Sequence, residues 1–87
     1  MSQYTIYIAN LPFSTTENEI ETEFCKFGKI VELYLIKDRF TGYCRGMGLI
    51  TFSSQKEATN SLEMHGQQWY GRTLKVTEVQ NRAALQK

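Results

Sequence analysis

Arg45-Gly46-Met47-Gly48-Leu49-Ile50-Thr51-Phe52 is the stretch whose reading decides the fold. β-Branched and aromatic residues collect at its end, as in a strand. A strand turns successive side chains to opposite faces. Ile50 and Phe52 therefore share one face, and Arg45, Met47 and Leu49 share the other.

The neighbouring segments supply the rest of a sheet. Ile30 to Lys37 reads as a strand, with Leu33 and Leu35 on one side and Tyr34 and Ile36 on the other. Asp38 to Cys44 contains Thr41-Gly42 and reads as the hairpin loop that joins it to the Arg45–Phe52 strand. Near the start, Tyr4-Thr5-Ile6-Tyr7-Ile8-Ala9 is a strand with Ile6 and Ile8 on one face and Tyr7 on the other, ended by Asn10-Leu11-Pro12. Thr73 to Val79 is the last strand, with Leu74 and Val76 inward and Lys75 outward. Trp69-Tyr70 is expected to form a short extra strand before Gly71.

Two helices lie between these strands. Thr16-Glu17-Asn18-Glu19 has the spacing of a capping box, in which hydroxyl and carboxylate each serve the other's amide. Ile20, Phe24 and Phe27 then form one apolar stripe, and Gly28 is expected to close the helix in the left-handed conformation. Ser54-Gln55-Lys56-Glu57 repeats the capping spacing, with Ala58, Leu62 and Met64 lining a second helix to Gly66. The order is β-α-β-β-α-β. It predicts an α+β, ferredoxin-like plait: a four-stranded antiparallel sheet with both helices on one face. Right-handed crossovers place the first and third strands at the centre.

Composition narrows the class. At 87 residues, with 41% hydrophobic residues, the chain is read as one domain over residues 1–79. Residues 80–87 are read as a tail that frays or forms a short helix, and that has the option of lying over Tyr7 and Leu49. No apolar run is long enough to span a bilayer, and no signal peptide is visible before the first strand. Cys25 and Cys44 read as thiols of an intracellular protein, nuclear or cytoplasmic. Cys25 is expected to be partly buried and Cys44 exposed. With no CxxC and only His65 to join the cysteines, neither a metal nor a cofactor is expected.

The net charge is only +1. It hides an asymmetry: Glu17, Glu19, Glu21 and Glu23 crowd one helix, and the rest of the chain carries ten basic residues against five acidic ones. With that helix turned away from a ligand, the remaining surface is basic. The helix-free sheet face then holds Tyr7, Tyr34, Ile36, Arg45, Met47, Leu49 and Lys75. An uncovered face this apolar and aromatic usually meets a partner.

Ile6-Tyr7-Ile8-Ala9-Asn10-Leu11 resembles the hexamer motif of the RNA-recognition motif family. Arg45-Gly46-Met47-Gly48-Leu49-Ile50-Thr51-Phe52 resembles its octamer. The spacing between them, the helix caps and the closing Gly71-Arg72-Thr73-Leu74-Lys75-Val76 fit as well, over roughly residues 4 to 79. The resemblance implies single-stranded RNA as the ligand. Tyr7, at the second hexamer position, would stack on a base, and Arg45, opening the octamer, would meet phosphate. Met47 and Leu49 depart from the octamer, which usually has aromatic residues there. They are expected to pack against sugar or base faces, with Tyr34 partly replacing the missing rings. Lys75 is expected to meet the RNA backbone. Arg39, Phe40 and Tyr43 would let the hairpin loop close over the strand. With near-neutral charge, the isolated domain is expected to be a monomer that binds weakly.

Two other functions compete for the same residues. Tyr34, Ile36, Met47 and Leu49 would also suit a protein partner on the sheet face, with the helices as a further surface. The Arg-x-Phe peptide-binding route is missing, because Gln67-Gln68-Trp69-Tyr70-Gly71-Arg72 lacks it. An enzyme is not expected: no glycine-rich phosphate loop precedes an arginine near the first strand, and His65 has no nucleophile or carboxylate partner. Trp69 and His65 are read as structural.

Overall fold

The computed structural model describes residues 4–79, and the expectations for the tail at 80–87 lie outside them. Strands β1 (Thr5–Ala9), β2 (Ile30–Lys37), β3 (Cys44–Phe52) and β6 (Lys75–Val79) form one antiparallel sheet in the order β2-β3-β1-β6. Helices α1 (Glu17–Phe24) and α2 (Gln55–Ser61) each continue into a short 3-10 turn, Cys25–Phe27 and Leu62–Met64. The small ribbon β4 (Gln68–Trp69) and β5 (Arg72–Thr73) precedes the last strand. This is the expected α+β plait with β1 and β3 central.

The helix starts follow from local chemistry. The Glu19 amide donates to Thr16 Oγ1 at 3.3 Å, and the Glu19 carboxylate accepts from the Thr16 amide at 3.1 Å. Two otherwise orphaned donors are thereby satisfied, as the sequence predicts. At α2 only half of this forms. Ser54 Oγ accepts from the Glu57 amide, but the Glu57 carboxylate accepts from the amide and hydroxyl of Ser53 instead.

Gly28 also departs from expectation: its φ of 156° and ψ of −172° lie outside the left-handed helical well, in a positive-φ region essentially open to glycine alone. Packing gives a second reason for the glycine. A Cβ at Gly28 would lie 2.3–2.5 Å from the Glu57 side chain.

The core lies between the helices and one sheet face. Ile6, Ile8, Leu35, Ile50, Phe52, Leu74 and Val76 are buried from the sheet, against Ile20, Phe24, Ala58 and Met64 from the helical segments. Leu33 is half-buried at its margin. Each large side chain contributes about 1.5–3 kcal/mol by leaving water, so this face fixes which way every strand points. Trp69 is buried, and His65 Nδ1 accepts from the Val76 amide at 3.0 Å, so both act structurally.

The last strand is shorter than the sequence suggests. The Leu74 amide and carbonyl bond to Gln67 and Gly66, which separates β5 from β6. The turn before it, Tyr70 at φ 52° and Gly71 at φ 81°, has the paired positive φ angles of a tight hairpin. The cysteines reverse their expected places: Cys25 is exposed on the outer side of its turn, and Cys44 is buried where β3 begins.

Candidate nucleic-acid interface

Pairing in the sheet decides which outward side chains meet. Residues directly opposite in antiparallel strands share a face and lie close together. Leu49 pairs with both Tyr34 and Tyr7, and Tyr7 pairs with Thr77. One row, Tyr34–Leu49–Tyr7–Thr77, thus crosses all four strands. The next row holds Met47, Ala9 and Lys75, and the Tyr7 hydroxyl donates to Met47 Sδ at 3.3 Å. Tyr34 is 62% exposed, and Tyr7, Met47 and Leu49 are half-buried. The sheet therefore brings together five of the residues singled out in the sequence, with two rings flanking a central leucine.

The charge along this face is graded. On the far side of the tyrosine row, Glu32 pairs with Thr51, and Thr51 pairs with Thr5. On the near side lie Lys75 and exposed Arg45. A polyanion is drawn toward the Arg45–Lys75 end. Lys37 reaches instead toward α1, where its ammonium is 2.8 Å from the Glu17 carboxylate. Hydrogen bonding to Lys37 holds the Glu17 carboxyl below its ordinary value.

Gly46 shapes this end of the face. Leu35 pairs with Gly48 and Lys37 with Cys44, so β3 carries two extra residues between these pairs and bulges. Gly46 sits in the bulge at φ 94°, where a side chain would be strained, and its carbonyl accepts from the Leu11 amide at 3.0 Å. Ile36 lies within the same irregularity and is half-buried.

The loop between β2 and β3 is ordered by Asp38. Its carboxylate accepts from the amides of Phe40 and Thr41 at 2.8 and 3.0 Å, which lowers its pKa. Arg39 is exposed and Phe40, at 90% exposure, projects into solvent. Neither joins the rows. Tyr43 stands edge-on to Phe13, with centroids 5.4 Å apart and planes at 87°.

Phe13 is one of three residues that the sequence reading missed. The others are Asn10 and Arg72. Asn10 adopts φ 66°, which asparagine tolerates better than most residues. Its amide nitrogen donates to the Thr73 carbonyl at 2.7 Å. Its side-chain and backbone oxygens accept from the Arg72 guanidinium at 2.9 and 3.2 Å. An asparagine straight after a strand hinted at the turn, but nothing local announces a partner 62 residues away. Together these residues border an open cleft of about 460 Å³ at the end of β1.

Among the described residues no group of three or more His, Cys, Asp or Glu is placed to hold a metal, and no helix is long and apolar enough to cross a membrane.

Comparison with known proteins places this geometry. Glycine-rich RNA-binding protein GRP2A of Sinapis alba is 37% identical over 83 residues, covering 94% of this chain and 49% of that protein. Glycine-rich RNA-binding protein 10 of Brassica napus is 36% identical over 81 residues, covering 92% and 48%. The chain thus spans about half the length of these curated relatives.

Among solved structures, that of RNA binding protein PG1 superposes with a TM-score of 0.83 at 29% identity, covering 90% of this chain and 95% of that one. The Rna15 RRM with bound RNA (GU) shares the fold, with a TM-score of 0.86 at 22% identity over 97% and 95%. The family model described as RNA recognition motif matches residues 6–75. With the hexamer on β1, the octamer on β3 and that match across most of its length, the chain belongs to the RNA recognition motif family.

Proposed function

We propose that this domain is a binding module for single-stranded RNA, which lies across the helix-free face of the sheet. The observation that carries the reading is the Tyr34–Leu49–Tyr7 row beside the Arg45 and Lys75 cations. Flat rings on an open sheet accept any base, and cations beside them neutralise the backbone between bases. Names of relatives that include RNA binding, and a shared fold with an RNA-bound domain, support it.

In this reading Tyr7 is the main stacking platform and Tyr34 a second one. Met47 and Leu49 pack against sugar or base faces, Arg45 pairs with a phosphate, and Lys75 follows the backbone. Arg39, Phe40 and Tyr43 act from the loop, after the RNA has docked. With one stacking ring at the three usual positions and a net charge of +1, affinity of the domain alone is weak. The role is binding rather than catalysis.

The test is a fluorescence-anisotropy titration of short single-stranded RNA pools at several salt concentrations. Tyr7→Ala should lose about 1–3 kcal/mol, the worth of one stacked base. Arg45→Ala should weaken binding to all sequences and reduce the salt slope by about 1. A folded Tyr7→Ala protein that binds like the parent removes the stacking role. Failure of every pool at low salt, with a protein bound to the same face instead, replaces the RNA reading.

A further inference from the structure

The cleft at the end of β1 continues from the rows just described. Met47 and Ala9 belong both to its lining and to the second row. Its other principal walls are Leu11, Phe13, Arg45 and Arg72. We infer that this cleft is an additional station for one nucleobase of the same RNA strand, held against the Phe13 ring and the Arg72 guanidinium.

Five observations carry the inference. Phe13 is 67% exposed but is not loose. Its carbonyl accepts from the Cys44 amide at 3.0 Å, and its ring is braced edge-on by Tyr43. With the exposed Tyr43 ring against it, Phe13 makes a contiguous apolar patch of the kind that marks an interaction site.

The Arg72 guanidinium is held by two of its five donors on Asn10, so its plane is set before any ligand arrives. A planar, weakly hydrated cation of this kind stacks on aromatic faces, which an ammonium does not do. The lining carries two arginines and no carboxylate, matching a ligand that is flat, apolar on its faces and attached to phosphate. The volume, about 460 Å³, falls in the range of about 300–1,000 Å³ typical of small-ligand sites. It accommodates one nucleotide. The graded charge of the sheet, from Glu32 toward Arg45 and Lys75, leads a strand toward this end.

The inference rests on the RNA reading, and one experiment separates the two. Wild type, Tyr7→Ala, Phe13→Ala, Phe13→Tyr and Arg72→Lys are titrated with one random-sequence pool of short single-stranded RNA at low salt. Thermal melts confirm that each is folded. Phe13→Ala should weaken binding about 5- to 150-fold, as loss of one stacked base does. Phe13→Tyr should restore it.

Arg72→Lys keeps the charge but not the plane, and should also weaken binding. Amide shift mapping of the wild type should show Phe13, Gly46 and Arg72 responding together with Tyr7. If Tyr7→Ala loses affinity while Phe13→Ala and Arg72→Lys bind as wild type, the cleft is not a base station and the sheet reading stands. If no pool binds wild type, both readings fall.

Discussion

Replacing Leu49 by phenylalanine puts the sheet face to its most direct test. Leu49 pairs with Tyr34 on one side and Tyr7 on the other, on a face with no helix above it. A ring at this position has room to extend outward and completes a row of three aromatics. Each new aromatic cross-strand pair adds about 0.2–1 kcal/mol. Leucine already supplies part of this, so two such pairs add at most about 1 kcal/mol, which raises the melting temperature of a domain this size by at most about 4–8 °C. A further stacked base adds about 1–3 kcal/mol to RNA binding, or about 5- to 150-fold in Kd.

Thermal melts followed by circular dichroism give the first number, and anisotropy titration with short RNA gives the second. Tyr7→Ala in the Leu49→Phe background separates base stacking from ring–ring support. A protein that melts higher but binds RNA no more tightly refutes the idea that this row carries bases. Tighter binding with no gain in stability leaves the stacking role intact and discards only the cross-strand packing argument.

Three other outcomes follow from the helical side. Thr16→Ala removes the acceptor of the Glu19 amide and should cost about 1 kcal/mol in urea unfolding, with Thr16→Gly losing only a few tenths. Gly28→Ala places a Cβ within 2.5 Å of the Cβ, Cγ and Cδ of Glu57 and should cost about 1–3 kcal/mol. Adding Glu57→Ala should recover only part of that loss, because the Cβ of residue 57 and the strain of alanine at a φ of 156° both remain.

The carboxyls of Glu17, Asp38 and Glu57 are all lowered by hydrogen bonding, chiefly to Lys37, to the Phe40 amide and to Ser53 respectively. Each therefore contributes stability above its unfolded pKa, lost as pH falls through the lower folded pKa. Melting temperature should hold from neutral pH down to about 5 and fall below about 4. Carboxyl-carbon NMR should find these three midpoints below the usual values.

By itself the sequence determined the element order, the faces of the strands and the start of α1. These are local properties: alternation places Ile50 and Phe52 opposite Met47 and Leu49, and Thr16 and Glu19 are close enough in the chain to cap each other. It also pointed to the hexamer and octamer, because their meaning lies in residue types at fixed spacing. It misjudged the cysteines, since burial at the ends of α1 and β3 depends on what packs there. It gave the second helix a full capping box, of which only half forms, because the Glu57 carboxylate bonds to Ser53.

Only the tertiary structure decided which residues become neighbours. Sheet pairing set Tyr34, Leu49 and Tyr7 in one row. The plait brought Phe13, Asn10 and Arg72 to one cleft. No local pattern encodes a contact across 62 residues; it exists because the core fixes where β1 ends and where the β4–β5 turn returns.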